Sequence, residues 1–261
     1  MTAPATSTAH GVDAGRERFG NAEWALRQEL AACYRVFEMI GWAELIYNHI
    51  TVRVPGPERH LLINPFGLHY SEVTASNLVK IDLAGNVVGE SDWPVNPAGF
   101  TIHGAIHASI AGAHCVMHTH TTAGMAVACS QAGLSYSNFY SAQLHDKVAY
   151  HDFEGITVHA DERPRLVRSI GERPAVILRN HGLLAWGENL HRTFAILWLL
   201  NRACEIQLAS TAMGPVIEVP EAVRRKCTAD SLQFDPRFGA GRDVFDALVR
   251  QVDRLDPGYR Q

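Results

Sequence analysis

Apolar residues recur at helical spacing over residues 22–42, where Leu26, Leu30, Cys33, Phe37 and Ile40 share a face and Asn21 is placed as an N-cap. The rhythm then shortens to strand length at Ile50–Val54, Leu61–Asn64 and Leu78–Leu83. Gly85-Asn86 is a turn that folds the last of these back as a hairpin into Val87-Val88. Phe100–Ile110 predicts a helix, Cys115–Thr119 a short buried strand, and Thr122–Cys129 a helix of small residues. Ile156–His159 predicts a strand and Glu162–Ile170 a helix. Ala175–Leu178 and Leu183–Trp186 form a strand pair about the turn Arg179-Asn180-His181-Gly182. The longest helix, Leu190–Ser210, is apolar on nearly every face, which requires burial in the core or between subunits.

Alternating strands and helices ask for an α/β chain, and the hairpin signals add antiparallel pairs. The expected fold is a three-layer α/β/α or α+β arrangement around one mixed sheet flanked by helices. Residues 1–20 are small and polar, and disorder is expected there. Residues 21–212 form the domain. Residues 213–261 carry Pro215, Pro220 and Pro236, then an amphipathic stretch Val244–Leu255, and read as a tail that packs on the domain or on a neighbouring subunit.

Composition narrows the function classes. With 261 residues and 47% hydrophobic content, the chain can bury a sizeable core. The net charge is −4 and no Lys/Arg run occurs, so nucleic acid has no electrostatic footprint. No stretch approaches the ~20 apolar residues of a membrane span. The N-terminus has no apolar signal core. Five cysteines without a C-x-x-C pair read as reduced thiols, and a cytoplasmic location is expected. Histidine is the oddity: five fall between His103 and His120.

Residues 115–120 read Cys-Val-Met-His-Thr-His. On a strand, His118 and His120 point to one face with Cα atoms about 6.6 Å apart. Two imidazoles so placed can converge on a cation, or be ordinary hydrogen-bonded residues at a strand end. His181, in a glycine-containing turn at another strand end, can supply a third nitrogen. Three neutral ligands with an open position describe a catalytic site better than a structural one. His103 and His107 share a helix face, but Gly104-Ala105-Ile106 between them lacks the glutamate of H-E-x-x-H. His103 is a candidate substrate contact or support for a ligand, and His107 reads as a core-edge residue. No G-x-S-x-G elbow, phosphate loop or G-x-G-x-x-G fingerprint is present.

His118-Thr119-His120, Asn180-His181-Gly182 and the long apolar helix after them resemble the class II aldolase/adducin family over roughly residues 22–212. Asn48-His49-Ile50-Thr51-Val52-Arg53 looks like the family's Gly-Asn-x-Ser-x-Arg loop, and Asn64-Pro65-Phe66-Gly67 its Thr-Pro-Ser-Gly loop. Val79-Lys80-Ile81-Asp82-Leu83, through Ala84-Gly85-Asn86, to Val87-Val88 resembles its strand–turn–strand. The resemblance implies a mainly antiparallel class II aldolase-like sheet and Zn2+ on His118, His120 and His181, with Fe2+, Mn2+ or Co2+ as alternatives. It also implies substrate contacts from Asn48, Asn64, Gly67 and His103, and a homotetramer with active sites at subunit interfaces.

Departures from the pattern shape the expected chemistry. The aldolases' Ser-Ser-Glu segment supplies their acid/base; here the segment is Asn96-Pro97-Ala98-Gly99, so Gly99 stands in place of the carboxylate. Phe66 and Ala98-Gly99 offer no hydroxyl to a phosphate, which points to a non-phosphorylated substrate. Asn-Pro-x-Gly at 64–67 and Ala-Gly-Phe at 98–100 resemble the adducin-like branch, yet all three histidines are kept. The expected function is a divalent-metal-dependent lyase acting on a hydroxy or oxo organic acid. It would work by retro-aldol cleavage or decarboxylation through an enolate stabilised by the cation, with Tyr140 and His145 as candidate proton donors. The alternatives are a non-heme iron oxygenase on the same fold and a non-catalytic adducin-like binding protein.

Overall fold

The computed structural model describes residues 14–156, 160–231, 239 and 241–261. Helix α1 (Asn21–Met39) buries Trp24, Leu30, Cys33 and Phe37, as its periodicity requires. It starts one residue earlier than expected: Gly20 is the N-cap, without a side-chain cap bond, and Asn21 is already helical. Residues 14–19 are helical too, against the disorder expected over 1–20. The physical reason is Phe19, which stacks on Trp24 at 5.9 Å and carries the Arg27 guanidinium on its ring. Residues 1–13 lie outside the described ones.

Seven strands make one sheet: β1 (Ile50–Arg53), β2 (Leu61–Ile63), β3 (Val79–Ile81), β4 (Cys115–Thr119), β5 (Val148–His151), β6 (Ala175–Leu178) and β7 (Gly182–Gly187). Their order is β3-β2-β1-β4-β7-β6-β5. Every neighbouring pair is antiparallel except β5 and β6. The predicted hairpin after β3 is present as a bridge between Ile81 and Val87. The strand expected at Ile156–His159 falls largely outside the described residues. Ile156 is 79% exposed. The parallel edge is Val148–His151, where a tyrosine and a histidine interrupt the aliphatic run and hide the strand signal.

Helices cover both faces, as α2 (Pro97–Ser109), α3 (Thr122–Ala128), α4 (Phe139–Ala142), α5 (Arg163–Ile170) and α6 (Leu190–Thr211). The period of two sorts side chains between layers. Cys115 and Met117 of β4 join the large core with α1 and α6, while Val116 packs with Ile102 of α2 and Leu166 of α5. His118 therefore faces the α2 side at the strand's end. Asn189 caps α6 by accepting from the Arg192 N–H. The tail forms α7 (Glu221–Asp230) and α8 (Arg242–Leu255). Helix α8 buries Phe245 and Val252 against α1 and α6, and the Ala75 N–H donates to the carbonyl of buried Tyr259. Among the described residues no helix is long and apolar enough to cross a membrane.

Candidate metal centre

Two pieces of backbone build the centre. Strand β4 ends at His118-Thr119 and releases His120, while the tight β6–β7 turn carries His181. In that turn Asn180 takes φ 56°, and its N–H donates to the Ala128 carbonyl. Gly182 lets the turn close on the pair. A Cβ there would lie 2.4 Å from the Thr119 carbonyl oxygen and 3.0 Å from the His120 ring.

The ligand nitrogens of His118, His120 and His181 lie within 4.8 Å of one another. His118 Nδ1 donates to the Leu183 carbonyl at 2.8 Å. A carbonyl can only accept, so the neutral ring is unprotonated at Nε2. That Nε2 stands 2.7 Å from His120 Nε2. Burial holds the set neutral: His118 falls well below the usual imidazole range, His120 is lowered, and His181 is pulled down to about 4. Three neutral imidazoles, one oriented by a carbonyl behind it, fit a divalent cation of the zinc type.

The histidines border a cavity of about 510 Å³. Tyr47, Ile102, Met125, Phe153 and Ile156 give it an apolar wall. Glu44, His49, Asn96 and Asn180 add polar groups, and neither Lys nor Arg is among the described residues that line it.

The other expected site residues fall elsewhere in this chain. His103 is fully buried, outside the cavity wall, and packs against His49 with ring centroids 4.2 Å apart and ring planes tilted by 53°. Asn48 is buried and donates to the Trp42 carbonyl, closing the loop that presents Glu44 and Tyr47. Asn64 accepts from Tyr34 Oη, and Gly67 is an exposed turn residue with φ 105°. Neither residue lines the cavity. Tyr140 packs edge-on against Trp198, and His145 against Tyr136. Neither reaches the histidine cluster of its own chain.

Sequence reasoning missed His49, Glu44 and Tyr47. The signal for His49 was the absent side chain at Gly99: a Cβ there would lie 2.7 Å from His49 Nδ1. Behind His49 runs a buried polar chain. His107 Nδ1 donates to the Ala113 carbonyl at 2.7 Å, and the Thr51 hydroxyl bridges His107 Nε2 and His103 Nδ1 at 2.7 and 2.8 Å. Starting from the carbonyl, only one assignment satisfies every bond: Thr51 donates to His107 and accepts from His103 Nδ1. Burial lowers His107 to about 3 and holds His103 well below the usual range, so both rings are neutral.

The sequence model described as Class II Aldolase and Adducin N-terminal domain matches residues 28–208. The chain is 39% identical over 249 residues to a Caulobacter vibrioides protein named for the class 2 aldolases, covering 93% of this chain and 94% of that one. It is 41% identical over 256 residues to alpha-adducin of Mus musculus, covering 93% of this chain but 34% of the adducin. An aldolase II superfamily protein from Pseudomonas syringae superposes with a TM-score of 0.88 at 39% identity, covering 94% of this chain and 99% of that one. L-fuculose 1-phosphate aldolase from Glaciozyma antarctica PI12 superposes with a TM-score of 0.78 at 25% identity, covering 100% and 97%.

Proposed function

We propose, on the premise that the chain belongs to the class II aldolase and adducin family, that it is a divalent-metal-dependent lyase acting on a non-phosphorylated hydroxy or oxo organic acid. The observation that carries this reading is the convergence of His118, His120 and His181 at a cavity with no cationic side chain in its described wall. A phosphate dianion seeks Arg, Lys or clustered N–H and hydroxyl donors. The apolar wall and Glu44 suit a smaller charge and a hydrophobic substituent.

A cation held by the three histidines, zinc first, with Fe2+, Mn2+ or Co2+ as alternatives, would supply Lewis acidity to a substrate oxygen. The protein's own part is to hold those imidazoles neutral, fix the His118 ring through Leu183, and exclude water with Ile102, Met125 and Phe153. Gly99 brings no carboxylate, which favours decarboxylation over a reaction that begins by removing a proton from carbon. Tyr140 and His145 serve as proton donors only if a homotetramer brings them to a neighbouring subunit's cavity.

Likeness to alpha-adducin supports a second reading, a binding protein without catalysis. Metal analysis of protein purified without chelator separates the two. The lyase reading expects about one ion per chain, lost in His118→Ala, and carbon dioxide or an aldehyde released from a panel of hydroxy and oxo acids. Metal-free protein with unaltered His118→Ala behaviour favours the binding reading. Oxygen uptake by the iron-loaded protein would point to an oxygenase instead.

A further inference from the structure

We propose that His49 contacts the substrate at this centre, accepting a hydrogen bond at Nε2 from the hydroxyl of a hydroxy acid. The proposal rests on the reading of the cavity as a site for a small organic acid, and adds a hydroxyl to the substrate groups recognised there.

Four observations carry it. His49 forms part of the cavity wall and is 7% exposed, with its ring centroid 5.9 Å from that of His118. Its Nδ1 faces the Tyr47 carbonyl at 3.4 Å, which places the proton on Nδ1 and leaves a lone pair on Nε2. That Nε2 is buried and has no partner. Buried polar atoms are nearly always satisfied, and the exceptions mark sites completed by a ligand or water.

The third observation is Gly99. It lies within helix α2, where glycine is the poorest helix former after proline. Its backbone does not require glycine, since its φ lies outside the left-handed range. What requires glycine is the His49 ring: a Cβ would lie 2.7 Å from Nδ1 and 2.8 Å from Cε1. The helix gives up a side chain so that an imidazole can stand there. The fourth is the support behind it. His103 packs against His49 with its ring tilted by 53°, and is itself fixed through Thr51 and His107 to the Ala113 carbonyl. An acceptor held this firmly selects a donor, and a substrate hydroxyl offers one.

The test compares two probes on cobalt(II)-loaded protein, whose visible absorption reports binding: mandelate, which carries the hydroxyl, and phenylglyoxylate, which carries a carbonyl in its place. His49→Ala is expected to weaken mandelate roughly tenfold, the size of one lost hydrogen bond, while phenylglyoxylate and the cobalt content stay unchanged. Gly99→Ala, which displaces the ring without deleting it, is expected to do the same. In the double variant the alanine at 99 has nothing to strike, so mandelate binds as in His49→Ala alone. His49→Gln keeps an acceptor and recovers part of the loss.

Unchanged mandelate binding in His49→Ala overturns the proposal. Equal loss of both probes does so too, because it marks a purely structural role. Loss of cobalt does so by making His49 a ligand. If neither probe binds wild-type protein that retains its cobalt, the organic-acid reading fails first and takes the proposal with it. Circular dichroism checks folding, and the milder Gly99→Ala and His49→Gln variants carry the test should His49→Ala unfold.

Discussion

Leu183, the second residue of β7, accepts at its carbonyl a hydrogen bond from His118 Nδ1 at 2.8 Å. A backbone atom thus fixes the tautomer of a candidate ligand, and the fix survives any side-chain change at 183. Removing a ligand itself has no such backup. His118→Ala, His120→Ala and His181→Ala are each expected to lower zinc affinity at least 100-fold, an order of magnitude that follows from dropping below three protein ligands. Competition against a colorimetric chelator measures it, and full zinc retention by any of the three removes that histidine from the centre.

Gly182→Ala places a methyl 2.4 Å from the Thr119 carbonyl oxygen. The turn must retreat from β4. The expected cost is about 2 kcal/mol of stability, read as a fall in the urea midpoint, together with weaker zinc binding because His181 moves with the turn.

Thr51 serves two histidines through one hydroxyl. Thr51→Val leaves a buried donor on His103 and a buried acceptor on His107 unpaired, for an expected loss of about 2–4 kcal/mol. Thr51→Ser keeps the hydroxyl and should lose far less. Nitrogen-15 imidazole spectra should show His103 and His107 protonated on Nδ1 in the wild type, and Nε2 protonation of either ring contradicts the chain of bonds.

His107 is held neutral, with its pKa lowered to about 3 by burial, whereas the unfolded chain protonates near 6.5. The unfolded state therefore binds the extra proton. Stability contributed by this group is present above about pH 6.5 and declines by about 1.4 kcal/mol per unit as pH falls toward 3. Urea midpoints of chelator-treated protein at pH 7, 6 and 5 test this, and His107→Gln should take up about one proton fewer on unfolding.

Phe245 is buried between the tail helix and Phe194 of α6. Phe245→Ala is expected to cost about 3–5 kcal/mol. A change under about 1 kcal/mol would show that α8 is held to the domain by little.

The layered fold was legible because buried strands and helices write their period into the chain. Cys115–Met117 and Ala175–Leu178 are unbroken apolar runs, and the strands Cys115–Thr119 and Ala175–Leu178 appear where that pattern puts them. Val148–His151 was obscured by its polar members. The histidine triad was readable from spacing plus a glycine turn. His49 was not, because its placement is written at Gly99, about 50 residues away, as a side chain that is missing. Contacts that depend on an absence leave no local pattern.

His120 and His181 are about 60 residues apart along the chain and adjacent in space only after β4, β6 and β7 have paired. A cation bound by both would act as a removable crosslink across that long loop. Since the unfolded chain offers no such cluster, added metal should raise the unfolding temperature with concentration by simple mass action. Calorimetry alone could then rank metals by affinity for the folded chain, with no substrate in hand.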